Sequence, residues 1–307
     1  MVLKPASPSP LPRNPGPSWG YRFLSRADVC LPGPLFNFLL YLGCGVAVAA
    51  MPAARRHSRT YLSLLRQRPA RNAEIWRHFF AFALSLMRRL RAAEGHPHSC
   101  NAGADCEPFL TLMASGRPAF LGTFHLGDSD LLGFLLANFH RRVHMIRLRM
   151  ENSSDTGRLG EQFGDWIRFI WSNQTEEIVF ALKEAVQTGD LVAMKCDRPD
   201  YSSKLEPFRF LGAQRLFPFT IYHLALIFRV PVVFCLGLPD RPGQSLVASS
   251  AVFEPGLVEK KEGLARAREH FQAVLSWIES LLRQDPYLWL NFTPLNPVAQ
   301  PGAGKDG

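Results

Sequence analysis

The segment from Phe120 to Phe139, FLGTFHLGDSDLLGFLLANF, organises the predicted fold, because a short polar break in it joins two apolar runs. The residues from Ala119 to Phe124 predict a short buried strand. From Leu131 onward, apolar residues recur at helical spacing and predict a helix, with Asp128 or Ser129 able to cap its first turn. The polar break therefore falls at the carboxyl end of a strand, where open α/β sheets usually bind their ligands.

The break contains a histidine and an aspartate, His125 and Asp130, separated by four residues. A carboxylate that accepts the N–H of one imidazole nitrogen fixes the tautomer, and the other nitrogen can then take a proton from a substrate hydroxyl. In the alternative interpretation, His125 satisfies main-chain groups at a helix start and Asp130 interacts with the helix dipole. On these residues alone both interpretations stay open.

Length and composition favour one large α/β domain, or such a domain with helical additions, because the chain has 307 residues and 47% hydrophobic content. The net charge of +9 is unevenly spread, since ten arginines and the single acid Glu74 lie between Ala53 and Arg91. Such a patch suits an anionic membrane surface, an acidic carrier protein or nucleic acid, with a solvated charged face as the plainer alternative.

The six cysteines are scattered without a paired framework, which fits a reducing compartment. Four possible metal ligands, His96, His98, Cys100 and Cys106, fall in a loop rich in Pro, Gly, Ala and Asn. No second ligand pair follows at a zinc-finger spacing, so the sequence predicts no metal site.

The N-terminal region contains the segments that suggest a membrane. Leu35 to Met51 is uncharged, and its seventeen residues are at the lower limit for a membrane span. It could cross once, lie as a monotopic anchor, or be a buried core helix. Ile75 to Leu90 predicts a basic amphipathic helix that either packs on the α/β core or lies on a bilayer interface.

After this segment from Phe120 to Phe139, predicted strands and helices alternate, which indicates a largely parallel sheet. We expect strands at Val143 to Leu148, Leu191 to Met194 and Val232 to Leu236, and helices at Glu176 to Val186, Ile221 to Phe228 and Val258 to Arg283. The strand from Leu191 to Met194 delivers Asp197 and Arg198 at its end.

Three further motifs follow the H-X4-D motif in order: AMKCDRPD, FLGAQRLFP at Phe210 to Pro218, and PYLWLNF near the end. With this set the chain resembles the lysophospholipid acyltransferase superfamily, and within it the bacterial lipid A late acyltransferase-like branch, over about residues 18 to 295. The lipid A enzymes more usually have Glu where Asp130 stands, and a glycine is often found near Phe219 and Thr220. The CDR triplet is closer to the aryl polyene pigment-lipid group.

The resemblance implies an O-acyltransferase that moves a fatty acyl group from an acyl carrier protein or coenzyme A thioester to a hydroxyl of a lipid or glycolipid. His125 would be the general base, and Asp130 would orient it and stabilise the imidazolium. Main-chain amides near Gly127 are the candidates for binding the oxyanion. The expected reaction uses no metal, no cofactor and no protein nucleophile.

Further residues follow from the same resemblance. Arg198, Arg209 and Arg215 could hold phosphates or carboxylates of the substrates, with surface salt bridges as the alternative. Asp197 either shapes the site or pairs with a neighbour. The expected partners are the thioester carrier, the lipid acceptor and an anionic membrane surface, not nucleic acid, at the cytoplasmic face of a bacterial inner membrane.

The expected domain organisation has four parts. Residues 1–18 form a Pro-rich disordered leader, 19–95 carry the apolar anchor and basic amphipathic helices, 96–296 form the α/β acyltransferase domain, and 297–307 are a polar tail. The anchor would be peripheral or single-pass.

Two alternative functions remain open at this stage. Gly127, Asp128, Ser129 and Gly133 also match the GDS…G block of lipases of the GDSL type, with Ser129 as nucleophile, although the usual D-x-x-H motif is missing after residue 133. The other alternative, from a different class, is a non-catalytic membrane-bound scaffold or lipid-binding protein with the same fold.

Overall fold

The computed structural model describes residues 18–133, 136, 139–147, 166–171, 175–199, 202 and 204–299. The expected leader lies outside this part of the chain except for its last residue, and so do residues 300–307 of the expected tail. The helix predicted from Leu131 is described only in part, at residues 131–133, 136 and 139.

The helices lie mainly at the N-terminus and between the strands. They are α1 (Ser18–Cys30), α2 (Gly33–Ala50), α3 (Pro52–Arg66), α4 (Asn72–Ala93), α5 (Glu107–Ala114), α6 (Thr175–Gln187), α7 (Thr220–Phe228) and α8 (Lys260–Gln284). Short 3-10 turns lie at Ala104–Cys106, Ser129–Leu131 and Pro286–Leu288. The helices predicted around Ile75, Glu176, Ile221 and Val258 are thus confirmed.

The strands form one large sheet and one hairpin. They are β1 (Ser99–Ala102), β2 (Ala119–Thr123), β3 (Val143–Arg147), β4 (Ile167–Trp171), β5 (Leu191–Lys195), β6 (Leu205–Phe210), β7 (Ala213–Pro218), β8 (Val232–Pro239) and β9 (Gln244–Ser249). The predicted strands β2, β3, β5 and β8 are confirmed, whereas β1, β4, β9 and the β6–β7 hairpin were not predicted as strands.

The seven-stranded sheet has the order β1-β9-β8-β2-β5-β3-β4. Every neighbouring pair is parallel except β8 and β9, which are antiparallel. The predicted α/β class with a mostly parallel sheet is therefore confirmed. Strand β2 lies between β8 and β5, and Thr123 pairs with Lys195 at its carboxyl end. This register carries the residues just beyond β2 and β5 toward each other.

The core lies on both sides of the sheet. Phe120, Val232 and Phe234 pack with α7 and α8 on one side, where Phe271 and Tyr222 are completely buried. On the other side, apolar residues of β2, β5 and β8 pack with α5. Helix α4 joins the first of these clusters through buried residues that include Ile75 and Phe79.

Helix α4 connects the N-terminal helices to the sheet domain. Five of the ten arginines between residues 53 and 91 pair with acids: Arg66 and Arg68 with Glu74, Arg88 with Asp128, Arg89 with Asp130 and Arg91 with Asp28. The predicted basic patch is therefore only partly a surface feature. Of the described residues, α2 forms the one helix that is long and apolar enough to cross a membrane by length and composition.

Candidate functional site

The main chain after β2 turns sharply against β8 at a pair of glycines. Gly127 has φ +51°, and a Cβ there would collide with the carbonyl oxygen of Gly237. A Cβ on Gly237 would in turn lie 2.6 Å from the main chain of Asp128. Only glycine allows this approach, because it lacks a Cβ and accepts positive φ. The close packing fixes where the polar break begins its turn.

The amide groups of this turn are already hydrogen-bonded to carbonyl oxygens. Gly127 N–H donates to Leu288 O at 2.8 Å, Asp128 N–H to Gly237 O at 2.7 Å, and Ser129 N–H to Leu126 O at 3.1 Å. Binding an oxyanion at these three amides would require breaking existing bonds, so the contacts of this turn give no support to the prediction that amides near Gly127 bind it.

The carboxylate that holds His125 belongs to Asp197. Both carboxylate oxygens of Asp197 lie 2.8–2.9 Å from Nδ1 of His125, and Oδ2 also accepts the main-chain N–H of His125 at 3.0 Å. The Asp197 side chain is fully buried, and that of His125 is 18% exposed. In place of the expected pairing of His125 with Asp130, the structure shows a pairing of His125 with Asp197. Proton transfer with a substrate then falls to Nε2.

A second layer of side chains supports Asp197. The amide nitrogen of Asn291 donates to Asp197 Oδ2 at 3.3 Å, and its amide oxygen accepts from Arg198 Nε at 3.0 Å and from Thr293 Oγ1 at 2.7 Å. The neighbouring Leu290 N–H donates to the carbonyl oxygen of His125 at 2.8 Å. The C-terminal segment therefore orients the carboxylate and the histidine together.

Asp130 lies in a cluster of cations. Arg89 of α4 donates to Oδ2 at 2.6 Å, and Lys195 Nζ lies 2.8 Å from Oδ1. Burial by itself raises the pKa of Asp130, but Lys195, Arg89 and, more weakly, Arg147 and His125 outweigh it and hold this pKa well below its usual range. Asp130 is therefore a carboxylate near His125 that neutralises cations rather than the group that fixes its tautomer.

The imidazole of His125 is neutral at physiological pH. Burial lowers its pKa to about 4, against the raising effect of Asp197, and Lys195 and Arg198 lower it further. The pKa of Asp197 is also lowered, because the attraction of His125, Lys195 and Arg198 exceeds the raising effect of burial. A neutral imidazole beside a buried carboxylate is the arrangement of a general base.

An apolar cavity begins at Thr123, two residues before His125, and is partly open to solvent. Its apolar lining comes from α5, from β2 to β5 and from the segment after the Ser129–Leu131 turn, and includes Phe109, Leu121, Leu136, Val143, Ile167 and Phe169. Four polar lining residues, Thr123, Ser129, Asp130 and Arg147, come from the carboxyl ends of β2 and β3 and the turn after β2. The cavity is suited to an apolar chain whose reactive end is polar.

Thr123 carries an unsatisfied hydroxyl at this cavity. Its Oγ1 is buried and has no hydrogen-bond partner among the described residues. A buried hydroxyl without a partner costs about 1–3 kcal/mol. Because Thr123 lies two residues before His125 and lines the cavity, a polar atom of a bound substrate is the natural partner.

Ser129, the nucleophile of the alternative hydrolase interpretation, has a different role in the fold. Its Oγ donates to Leu126 O at 2.6 Å and accepts the N–H of Gly237 at 3.1 Å. Both bonds hold the turn against β8, and the side chain is buried. The described contacts of the hydroxyl are therefore with the main chain, not with a histidine base.

The other predicted site residues are divided between two places. Asp197 and Arg198 join the His125 site. Arg209 is exposed in β6, and its main chain exchanges hydrogen bonds with Gln272 of α8. Arg215 is buried in β7 and donates to Asn296 O at 2.9 Å. The contacts of Arg209 and Arg215 thus hold the hairpin to α8 and to the C-terminal segment.

The sequence analysis did not identify several residues around the site. Lys195, at the end of β5, lies two residues before the predicted site residue Asp197. Side chains two apart in a strand point to the same face, so a strand extended to Asp197 would have indicated that Lys195 lies beside it. Arg89 and Asn291 carry no comparable signal, because their roles depend on how α4 and the C-terminal segment pack. His98 and Cys106, two of the four possible metal ligands considered above, hydrogen-bond to Ser245 and to the carbonyl of Val247.

No protein-family model matches the sequence, and no curated protein matches it.

Proposed function

We propose that this protein is an O-acyltransferase that moves an acyl group from a thioester to the hydroxyl of an acceptor. The observation that carries the proposal is the neutral imidazole of His125, which is held by buried Asp197 and lies two residues beyond Thr123, a lining residue of an apolar cavity. The resemblance of the motif set to the lysophospholipid acyltransferase superfamily supports the same chemistry.

The reaction needs one proton acceptor and no covalent enzyme intermediate. Nε2 of His125 removes the proton of the acceptor hydroxyl while the oxygen attacks the carbonyl carbon of the thioester. The tetrahedral intermediate then expels the thiolate, which takes the proton back from the imidazolium. Asp197 stabilises the imidazolium in between, because the negative charge of its carboxylate faces Nδ1.

The oxyanion of the tetrahedral intermediate requires hydrogen-bond donors. Since the amides of the turn are engaged, the hydroxyl of Thr123 is the candidate from this chain. The cationic groups Lys195 and Arg147 lie near the same polar end and add a favourable field for developing negative charge.

The acyl chain would occupy the apolar cavity beside β2 to β5, where its burial supplies binding energy in proportion to the area removed from water. The donor would be a coenzyme A or acyl carrier protein thioester, and the acceptor a lipid or glycolipid. The proposed location is the cytoplasmic face of a bacterial inner membrane. Five exposed arginines outside the ion pairs named above, Arg55, Arg56, Arg59, Arg71 and Arg77, suit anionic lipids or an acidic carrier.

The test compares two histidine–aspartate pairs of the same sheet. His144 Nε2 bonds Asp190 at 2.9 Å at the amino ends of β3 and β5, the opposite edge from His125 and Asp197. Purified protein is incubated with acyl-CoA or acyl carrier thioesters and membrane lipid extract. Thiol release and new acylated lipids are then measured by absorbance and mass spectrometry.

We expect His125→Ala to abolish lipid acylation, and His144→Gln to retain it. Equal activity of wild type and His125→Ala, or the absence of an acylated product with every thioester and lipid extract, would overturn the proposal. Release of free fatty acid without an acylated lipid would indicate a hydrolase instead. Thermal unfolding of each variant separates loss of chemistry from loss of fold.

A further inference from the structure

Helix α2 has two apolar faces, and only one of them is packed. Phe36, Leu40 and Cys44 are buried on one side. The opposite side carries a continuous stripe of large exposed side chains: Leu35, Phe38, Leu39, Leu42 and Val46. Phe38 is 57% exposed and Val46 is 70% exposed. A stripe of this length on a helix without a charged residue is a surface for an apolar partner.

The packed face of α2 runs antiparallel along α4. Near its start, Phe36 and Leu40 pack with Met87 of α4. Near its end, the main chain of Gly45 lies against the Trp76 ring, and Trp76 Nε1 donates to Tyr41 O at 2.7 Å. The helix is therefore attached to α4 along most of its length, so it moves with α4.

Helix α4 cannot enter the hydrocarbon of a bilayer, because its other side is part of the candidate site. Arg88 and Arg89 reach Asp128 and Asp130, and Ser85 donates to Gly127 O at 2.9 Å. Charged residues at the centre of a bilayer are costly, and the sheet domain would have to follow them. A helix fastened alongside α4 is thereby kept near the bilayer surface.

Both ends of α2 are also fastened to this body. Before α2, Asp28 of α1 pairs with Arg91 of α4 at 2.5 Å. After α2, His57 of α3 hydrogen-bonds to Phe292 O at 3.0 Å. A helix that crossed a bilayer would put α1 and α3 on opposite sides of it. The two connections place them on one side.

The surroundings of the stripe select an anionic bilayer as its partner. Between residues 18 and 73 the only acid is Asp28, which is paired with Arg91. Arg22 and Arg26 in α1, the helix before α2, and Arg55 and Arg56 in α3, the helix after it, are exposed. An apolar face with cationic ends is the pattern of a helix that lies in the interface of an anionic membrane.

We propose that α2 lies in the plane of one leaflet, with Leu35, Phe38, Leu39, Leu42 and Val46 immersed, and does not cross the membrane. Its immersion holds the sheet domain at the surface from which a lipid acceptor would come. The inference rests on the surface of α1 to α3 and stands or fails independently of acyl transfer.

The first experiment measures the depth of the stripe. Cysteines are introduced singly by Leu35→Cys, Leu42→Cys and Val46→Cys in a Cys30→Ser background, because Cys30 is exposed and the other native cysteines are buried. Each is labelled with an environment-sensitive fluorophore, bound to vesicles of phosphatidylcholine and phosphatidylglycerol, and quenched by lipids with nitroxides at known depths.

An in-plane helix gives the same depth at all three positions. A spanning helix would place position 42 about 10 Å deeper than position 35, from a rise of 1.5 Å per residue. A depth difference of that size would overturn the proposal.

The second experiment measures partition into the same vesicles by flotation. Leu39→Asp/Leu42→Asp should lower the partition coefficient at least tenfold. The matched control, Ile227→Asp/Leu257→Asp, changes two exposed apolar residues away from α2 and should leave it unchanged within twofold. Arg55→Gln/Arg56→Gln should weaken binding about fivefold per arginine, and only with the anionic lipid.

Equal flotation of wild type and Leu39→Asp/Leu42→Asp would contradict the proposal. A second contradicting outcome is a wild type that fails to bind vesicles and forms a dimer in lipid-free solution, if Leu39→Asp/Leu42→Asp dissociates that dimer. In that case a second copy of the chain would cover the stripe. Unfolding curves that match wild type confirm that each variant is folded. Activity in detergent with a soluble acceptor tests the acyltransferase separately, because immersion is not required there.

Discussion

Asp197 holds His125 at two points, since its carboxylate accepts both the Nδ1–H and the main-chain N–H of that residue. The pair follows directly from the register of β2 and β5, in which Thr123 lies opposite Lys195. His125 and Asp197 each lie two residues beyond this pair and therefore face each other. The sheet itself, rather than the H-X4-D spacing, thus sets the orientation of the imidazole.

Replacing Asp197 should affect catalysis more than folding. Asp197→Asn keeps the volume but removes the charge that stabilises the imidazolium, so we expect kcat to fall roughly 10²- to 10⁴-fold. Because Asp197 raises the pKa of His125, the acid limb of the kcat/KM profile should also move to lower pH. Steady-state kinetics between pH 3 and 8 test both effects. An unchanged limb together with full activity would show that another group orients His125.

Replacing Asp130 should affect stability more than catalysis. Asp130→Asn leaves Arg89 and Lys195 without the carboxylate that they share, and we expect a loss of about 1–3 kcal/mol in the free energy of unfolding. The loss in kcat should be smaller than for Asp197→Asn. Urea unfolding and kinetics on the same preparation measure both. The opposite order, with stability intact and kcat abolished, would restore Asp130 as the partner of His125.

The hydroxyl of Thr123 should matter only when substrate is bound. Thr123→Val keeps the shape and removes a buried hydroxyl that has no partner in the described structure. We expect the unfolding free energy to stay equal or rise by up to about 1 kcal/mol, while kcat/KM falls about tenfold or more. A decrease in stability without loss of activity would mean that the hydroxyl serves the fold.

Gly127 should be required for its backbone geometry. Gly127→Ala combines positive φ with a collision against Gly237 O, whereas Gly116 has φ +70° and open space around its Cβ position. Gly116→Ala should therefore cost about 1 kcal/mol, and Gly127→Ala at least about 2 kcal/mol more. Thermal unfolding of both variants tests this, and equal effects would contradict the close approach of the two glycines.

Acid should destabilise the protein through buried His78. This residue bonds Ser58 and Trp289 O, and burial lowers its pKa from 6.5 to about 4. Between these values the unfolded chain binds the proton and the folded chain does not. The free energy of unfolding is therefore highest above pH 6.5, and it falls by about 3 kcal/mol as the pH decreases toward 4. The stability of His78→Gln, compared by urea unfolding at pH 7 and 5, should depend less on pH, and an equal loss would refute the assignment.

The strand ends could be predicted from the sequence, but most side-chain partners could not. The buried runs before His125 and Asp197 are local patterns of apolar residues, so both residues were expected at the carboxyl edge of the sheet. The predicted partner of His125 was Asp130, the aspartate of the H-X4-D motif. The actual partner lies 72 residues away, and only the register of two strands identifies it.

The arginines between residues 53 and 91 illustrate the same limit. Their number and the shortage of nearby acids are visible in the sequence. Arg88 and Arg89 point to Asp128 and Asp130 because α4 packs against the turn after β2. Local charge therefore predicts a basic segment, but not which of its members face solvent.

The sequence by itself determined the α/β class, the central strands, the polar break after β2 and the apolar character of α2, because each depends on a periodicity within a short segment. Only the tertiary structure decided that Asp197 holds His125, that Asp130 pairs with Arg89 and Lys195, and that one face of α2 is packed along α4. These relationships join residues distant in the chain, and their geometry depends on strand register and helix packing summed over the whole core.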